Sequence, residues 1–374
     1  MKKIKILMLH LNHGGVEKQT ITMANGLSNN YEIEIVSFYK LRKEPAYNID
    51  KKIKIKYLYN GKPNREEFKK YLKSRKLIKA FKEGLKSIKT LYLKNKLIKK
   101  EIKLNDADIY FSTRTEYGKL LSKYGKKEKL KLTQEHNYIE EKEYRKKIVK
   151  NYKNLDYVIV INKYQENMYK NWFKNTNLKI KKIENILESD SKDVSKLNNN
   201  AIIAVGRLDP IKDFSSLLKV LSFAIKDNPD LKLYLLGDGP EKEKLNKEIK
   251  ELKIEKKVIM PGFVNPEEVK KYMLKSDIYI MTSVKECFPM VILEAFNCGL
   301  PTISFDILTG PKEIIKNGYN GYLIKNRDCE EMANQINYLI KNKNKIKIIG
   351  KNAKKESKNF LIENILKKWL NILK

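Results

Sequence analysis

Two glutamates eight positions apart, Glu286 and Glu294, enclose the run Cys287-Phe-Pro-Met-Val-Ile-Leu293. A strand pattern over Ile278–Met281 gives out at Thr282-Ser283, and Pro289 fits the first position of a helix, where a missing N–H is no loss. The backbone N–H groups of Met290 and Val291 are then free at the helix start, and with the helix dipole they form an anion site. Glu286 lies before that site, and Glu294 a turn and a half along the helix. Such a pair offers acceptors on both flanks of a bound phosphate, which suits the hydroxyls of a sugar on one side and of a ribose on the other. Spacing alone is weak evidence, because surface glutamates often stand this way. However, Glu294 sits within Val291-Ile-Leu-Glu-Ala-Phe, where an unpartnered carboxylate is costly. Cys298-Gly299-Leu300-Pro301 then reads as a helix stop feeding a strand.

Other candidates gather at strand ends. Gly206-Arg207-Leu208, with Lys212, follows Ala201–Val205. Gly237-Asp238-Gly239-Pro240 is a turn whose glycines permit tight geometry and close ligand approach. His13-Gly14-Gly15-Val16-Glu17 follows the first strand and opens a helix. His136, in Thr133-Gln-Glu-His-Asn-Tyr138, follows a later strand, as does Arg114 in Phe111-Ser-Thr-Arg-Thr. His10 is better explained as core-facing. Asp106-Ala-Asp108 looks like a metal-binding pair but precedes a strand, so it reads as solvated charge.

These sites need a scaffold, and the chain supplies one. Short β-branched runs alternate with longer periodic ones, the pattern of βα units and parallel sheets. Strands are expected at Ile4–Leu9, Glu32–Phe38, Ile53–Leu58, Asp108–Phe111, Leu130–Thr133, Tyr157–Ile161 and Lys179–Ile183. A second series covers Ala201–Val205, Lys232–Leu236, Lys257–Met260, Ile278–Met281, Pro301–Ser304 and Tyr322–Ile324. The polar stretch ESDSKDVSKLNNN separates the two series. The expectation is an α/β protein with a Rossmann-like domain over 1–188, a linker over 189–200, a second such domain over 201–355, and a C-terminal helix over 356–374 that closes the second domain or crosses back to the first. Ligands belong at the carboxyl ends of the strands facing a central cleft.

From Val205 to about Ile324 the sequence resembles family 4 retaining glycosyltransferases of the GT-B fold. The resemblance rests on Gly206-Arg207-Leu208 with Lys212, Gly237-Asp-Gly-Pro240, Pro261-Gly-Phe263, Glu286 to Glu294, and Gly310-Pro311-Lys-Glu313; this last segment is similar to capsule, lipopolysaccharide and teichoic acid transferases. It implies that Glu294 binds ribose hydroxyls and Glu286 the transferred sugar, with Phe288, Pro289, Met290 and Val291 around sugar and diphosphate. Gly206, Gly237 and Phe263 belong with the donor site, as does the Gly14-Gly15 loop. Arg207 and Lys212 would stabilise the charge growing on the departing phosphate, a kind of preorganised electrostatics that is usually the largest catalytic term. His136 resembles the residue that touches the sugar or the leaving phosphate, and Glu17 and Arg114 would face the acceptor. The implied donor is a nucleotide sugar, UDP favoured over GDP, carrying a hexose or N-acetylhexosamine to a surface glycan or lipid-linked acceptor. No cofactor or metal is expected. No carboxylate nucleophile stands out as in retaining glycosidases, so a front-face mechanism is implied.

Charge bears on partners. The 374 residues carry a net charge of +34, with 48 Lys and Arg against 23 Asp and Glu in residues 1–200. Lys62 to Lys103 alone holds 16 basic and 4 acidic residues, and Phe68, Leu72, Ile78, Phe81, Leu85, Ile88 and Tyr92 recur there mostly at helical spacing. A basic amphipathic segment of this kind suits an anionic membrane surface. Nucleic acid would answer to the same charge, but no aromatic-basic recognition motif accompanies it, so no nucleic-acid partner is expected. A GT-B epimerase or phosphorylase is the other enzymatic reading; a phosphorylase needs a longer chain, and epimerases typically lack the Arg207–Lys212 and Glu286–Glu294 set. Three cysteines make no disulfide framework, and the amino terminus runs straight into a strand, so the expected location is cytoplasmic, on the inner face of the plasma membrane.

Overall fold

A computed structural model describes residues 1–137, 139 and 141–374. The chain divides into two compact units, Met1–Ile183 with Leu366–Lys374, and Glu184–Ile365. The strands expected from sequence are present, with ends displaced by at most two residues.

The first unit holds β1 (Lys3–Met8), β2 (Glu32–Tyr39), β3 (Lys54–Tyr59), β4 (Ile109–Ser112), β5 (Leu130–Glu135), β6 (Tyr157–Val160) and β7 (Lys179–Lys182), in the order β3-β2-β1-β4-β5-β6-β7. Every pairing is parallel, so both faces are covered by helices: α1 (Gly15–Leu27), α2 (Arg65–Lys73), α3 (Leu77–Lys103), α4 (Thr115–Tyr124), α5 (Lys142–Tyr152) and α6 (Lys163–Trp172). Ile6, Leu7, Val36, Tyr110, Val158 and Val160 fill the interior. Burial of β1 extends to Lys5, whose Nζ meets Asp106 at 2.5 Å, Glu34 at 3.5 Å and Glu101 at 3.6 Å. Asp106 therefore neutralises a buried lysine rather than serving as solvated charge, since a cation taken from water needs such partners.

The second unit holds β8 (Ala201–Val205), β9 (Lys232–Leu236), β10 (Val258–Gly262), β11 (Ile278–Met281), β12 (Thr302–Phe305) and β13 (Gly321–Ile324), again all parallel, in the order β10-β9-β8-β11-β12-β13. Its helices are α7 (Phe214–Asp227), α8 (Lys242–Glu251), α9 (Pro266–Leu274), α10 (Met290–Asn297), α11 (Pro311–Ile314), α12 (Cys329–Lys341) and α13 (Lys343–Ser357). Residues 189–200, expected as a linker, are pinned to this unit. Ser195 donates from its N–H to Cys298 O (2.8 Å) and from Oγ to Ser276 O (2.5 Å), and the Asn199 N–H donates to Asp277 Oδ1 (2.9 Å).

The last helix, α14 (Ile362–Leu373), begins in the second unit, while Leu366–Lys374 belong to the first. There Trp369 packs edge-on against Phe111 at 5.4 Å. Among the described residues, no helix is long and apolar enough to cross a membrane.

Candidate functional site

In each sheet the strand order reverses direction at one place, between β1 and β4 and between β8 and β11. Loops leaving adjacent strands there go to opposite faces and open a crevice, the general ligand site of such sheets. Many of the candidates fall at these two places, while Gly237, Phe263 and His136 follow the strands β9, β10 and β5.

In the second unit, the end of β8 carries Gly206 and exposed Arg207, and the loop onward brings Lys212 to the start of α7. The end of β11 carries Thr282 and Ser283, then Glu286, then the start of α10. Lys212 Nζ donates to Glu286 Oε1 at 2.5 Å, and Ser283 Oγ donates to the same oxygen at 3.0 Å. The backbone of Glu286 is held as well, its carbonyl accepting from Thr309 Oγ1. Gly310 lies so close behind it (φ 84°) that a Cβ there would come within 2.8 Å of Glu286 Cβ. This places the Gly310-Pro311 motif against Glu286.

Helix α10 begins at Met290, with Pro289 at the capping position rather than at the first turn, and no side chain caps it. Ile292, Leu293, Ala295 and Phe296 are buried, while Met290, Val291 and Glu294 share a half-buried face. That split follows from the 3.6-residue period: positions i, i+1 and i+4 lie on one side. Phe288 turns inward and packs against Phe360 with ring centroids 5.8 Å apart, so any donor contact it makes is through its backbone.

Tyr279, which no sequence signal marked, feels the charge of both carboxylates. Its buried hydroxyl donates to Val205 O at 3.4 Å. Burial first, then the charges of Glu286 and Glu294, push its pKa far upward. Both glutamates therefore act on one neutral phenol. The sequence could have flagged only a tyrosine in an otherwise aliphatic strand.

Gly237, at the end of β9, has φ 143°, and a Cβ on it would stand 1.8 Å from Gly206 O. Only glycine permits this approach. Beside it opens a cavity of about 440 Å3, lined by Gly206, Arg207, Gly237, Asp238, Phe263 and Val264 among others. Phe263, 81% exposed, stands at this cavity. Gly206, Arg207, Gly237 and Phe263 thus come together, as do Lys212, Glu286 and the start of α10.

The first unit presents a separate cluster. Gly14, in extended backbone, exchanges hydrogen bonds with the Tyr47 hydroxyl, its N–H at 3.1 Å and its O at 3.3 Å. Gly15 starts α1, and a Cβ there would meet nothing within 4 Å, so the helix start is open. Glu17 is turned inward and buried, with Oε1 3.4 Å from His10 Nδ1 and 3.6 Å from Arg114 Nη2. Desolvation, followed by the Arg114 charge, lowers the His136 pKa to about 4, so its imidazole is neutral near pH 7. Its Nε2 is shielded and has no hydrogen-bond partner among the described residues. Next to it, Glu135 is buried and accepts from the hydroxyls of Tyr152, Tyr144 (3.1 Å) and Thr115 (3.3 Å). Burial outweighs these bonds and raises its pKa to about 7.

Residues 185–356 match the family model described as glycosyl transferases group 1. The chain is 27% identical over 382 residues to an α-1,4-N-acetyl-D-galactosaminyltransferase of Campylobacter jejuni that acts on an undecaprenol-linked glycan, covering all of this chain and 98% of that one. It is 24% identical over 366 residues to an exopolysaccharide phosphotransferase of Streptomyces coelicolor, of which it spans only 39% of the length. Among solved structures, S. aureus TarM, crystallised as a mutant with UDP, superposes with a TM-score of 0.76 at 19% identity, covering 100% of this chain and 99% of that one. Residues 185–356, nearly all of the second unit, are therefore a glycosyl transferases group 1 domain, and the chain has the GT-B fold.

Proposed function

We propose that the protein is a retaining hexosyl- or N-acetylhexosaminyltransferase that takes its sugar from a UDP-sugar and works without a metal ion. The observation that carries this reading is the meeting of Lys212 and Glu286 beside the uncapped start of α10. A diphosphate placed there meets Lys212, Arg207 and the helix dipole, which together supply the charge that a metal would otherwise provide. Glu286 then accepts from sugar hydroxyls, and Glu294, on the same face of α10, from the ribose. The cavity beside Gly237, with Phe263 exposed at it, suits a planar base. UDP in the S. aureus TarM crystal supports the choice of nucleotide.

In the transfer step the bond between C1 and the β-phosphate oxygen breaks, and its electron pair leaves with the diphosphate. The acceptor oxygen bonds C1 from the same face, and its proton passes to the departing phosphate. Neutral His136 is a hydrogen-bond donor suited to the sugar or that phosphate. Polyprenol-linked and polyol-phosphate acceptors among the relatives support a glycan or lipid-linked acceptor here.

An anionic membrane surface fits the same assignment. On α3 the residues Leu77, Ile78, Phe81, Leu85, Ile88, Leu91 and Tyr92 are all more than half exposed, and lysines flank them. The buried positions of the helix are Ala80, Thr90 and, toward its end, Ile98, Glu101 and Ile102. An apolar stripe left in water within a basic segment suits lipid headgroups and the first carbons beneath them.

The test is to incubate the full chain with a panel of UDP- and GDP-sugars and to follow release of nucleoside diphosphate and sugar. Hydrolysis or transfer confined to UDP-hexoses or UDP-N-acetylhexosamines, with the product anomer unchanged, is expected. Failure to bind or turn over any nucleotide sugar sinks the proposal, and sugar interconversion without transfer makes the protein an epimerase.

A further inference from the structure

We propose that Arg327, which lies outside every motif, is a positioning residue that sets Lys212 and Glu286 in register; the inference rests on the donor site proposed above. Arg327 follows β13 in a short turn where Asn326 and Arg327 both have left-handed backbone, with φ 51° and 53°. Side chains with a Cβ resist that conformation, and it persists only where the surroundings over-determine it. Glycine would adopt it without cost. The guanidinium supplies the compensation through contacts that converge on the site.

Its Nη2 donates to Thr282 O at 2.7 Å and pairs with the Asp213 carboxylate, while Nη1 donates to Ser283 O at 3.1 Å. Its face lies 4.5 Å from the centre of the Phe305 ring. Each partner is one step from the chemistry. Asp213 is the chain neighbour of Lys212 and caps α7, accepting from the Ser216 N–H at 3.3 Å and Oγ at 2.7 Å. Thr282 Oγ1 donates to Lys212 O at 3.0 Å. Ser283 Oγ donates to Glu286 Oε1 at 3.0 Å.

One planar fork therefore ties the loop after β8 to the loop after β11. Lysine, a point charge on a flexible stem, can keep the ion pair but not both carbonyls in one plane. Arg327 touches no candidate substrate position itself; it acts through Asp213, Thr282 and Ser283.

The experiment compares wild type, R327G and R327K in hydrolysis of UDP-N-acetylglucosamine and UDP-glucose, in thermal unfolding, and in crystal structures. R327G relieves the left-handed strain and should fold with a similar unfolding midpoint. Its kcat should fall about 10- to 100-fold, the cost of misplacing reacting groups by an ångström or less. Donor KM should change less than about threefold, because Gly237, Phe263 and α10 still grip the nucleotide, and R327K should recover part of the loss. Crystals of R327G should show Lys212 and Glu286 drawn apart. Wild-type kcat in R327G, or an undisturbed Lys212–Glu286 pair in its crystal, overturns the proposal. If R327G fails to fold, R327K with unimpaired kcat overturns it as well. A wild type that hydrolyses no nucleotide sugar sinks the donor assignment instead, and the crystal comparison still decides the role of Arg327.

Discussion

Lys212 and Glu286 stand 74 residues apart in sequence and meet Nζ to Oε1 at 2.5 Å, with both side chains mostly buried. Each neutralises the other's desolvated charge, and removing one partner leaves the second uncompensated. The sequence motifs assign these residues opposite tasks, one toward phosphate and one toward sugar. In the folded chain they form one unit. On the proposed function, a donor entering here would compete for both, its diphosphate for the ammonium and its hydroxyls for the carboxylate.

Glu286→Gln separates those tasks. The amide keeps an acceptor for a sugar hydroxyl but releases Lys212 to bind phosphate in ground state and transition state alike. Turnover of the accepted UDP-sugar should fall about 100-fold, on the scale of losing one preorganised electrostatic group. Donor KM should stay within about threefold. Steady-state kinetics check this, and a variant with unchanged kcat but weakened KM refutes the division of labour.

Glu294→Gln should behave in the opposite way. Its carboxylate shares the half-buried face of α10 with Met290 and Val291. Charge-assisted hydrogen bonds to ribose hydroxyls are each worth about 1.5–3 kcal/mol. Calorimetry with UDP should show affinity falling about tenfold or more, with kcat at saturating donor falling less than in Glu286→Gln. Identical behaviour of the two variants removes the basis for assigning them different ends of the donor.

Much of this was legible in the sequence. Parallel strands buried on both faces give runs such as Ile278–Met281 that need no partner information to be recognised, so element positions came through well. Gly206, Gly237, Glu286 and Gly310 were singled out through the family resemblance, and the fold presses Gly237 against Gly206 and Gly310 against Glu286. Arg327 and Tyr279 were not. Arg327 is one of 79 basic residues, and nothing local distinguishes it until folding brings Asp213 and the 282–283 carbonyls to it. The role of 189–200 was misread for a related reason: its polar residues find backbone partners on Cys298 and Ser276, far along the chain. Asp106 likewise shows its purpose only once Lys5 is seen to be buried.

Gly237→Ala tests how closely the β8 and β9 loops are pressed together. The added Cβ would lie 1.8 Å from Gly206 O, at a φ of 143° that alanine avoids. Backbone atoms cannot yield as a flexible side chain does, so the two loops must part. A stability loss of about 1–3 kcal/mol and marked loss of UDP affinity are expected from urea unfolding and calorimetry. Native affinity in this variant means the glycine serves the turn alone.

The exposed stripe on α3 calls for vesicle sedimentation. Lys79, Lys82, Lys86 and Lys89 are all exposed beside Ile78, Phe81 and Leu85. Each lysine near an anionic surface contributes about 1 kcal/mol, so changing all four to glutamine should lower binding to phosphatidylglycerol vesicles by about 100-fold or more. Donor hydrolysis should be unaffected, since these positions lie outside the donor-site unit. Persistent vesicle binding, or none by the wild type, rules out the membrane reading.

Glu135 gives the first unit a pH signature. Burial holds its carboxyl at about 7 in the fold against an ordinary value of 4.5, and the hydroxyls of Tyr152, Tyr144 and Thr115 only partly oppose this. Because the folded value is the higher one, the fold binds this proton more tightly than the unfolded chain does. The associated stability is fully present below pH 4.5 and is lost as pH rises through 7. The change between pH 5 and pH 8 is on the order of 2–3 kcal/mol. Glu135→Gln has no proton to lose, so wild type should fall relative to the variant by that amount across the interval. Trp172 and Trp369 both belong to the first unit, and urea unfolding followed by tryptophan fluorescence reports on that unit directly. A wild-type-minus-variant difference that stays flat from pH 5 to 8 means that the carboxyl is ionised in the fold and that the three hydroxyls, not burial, set its charge.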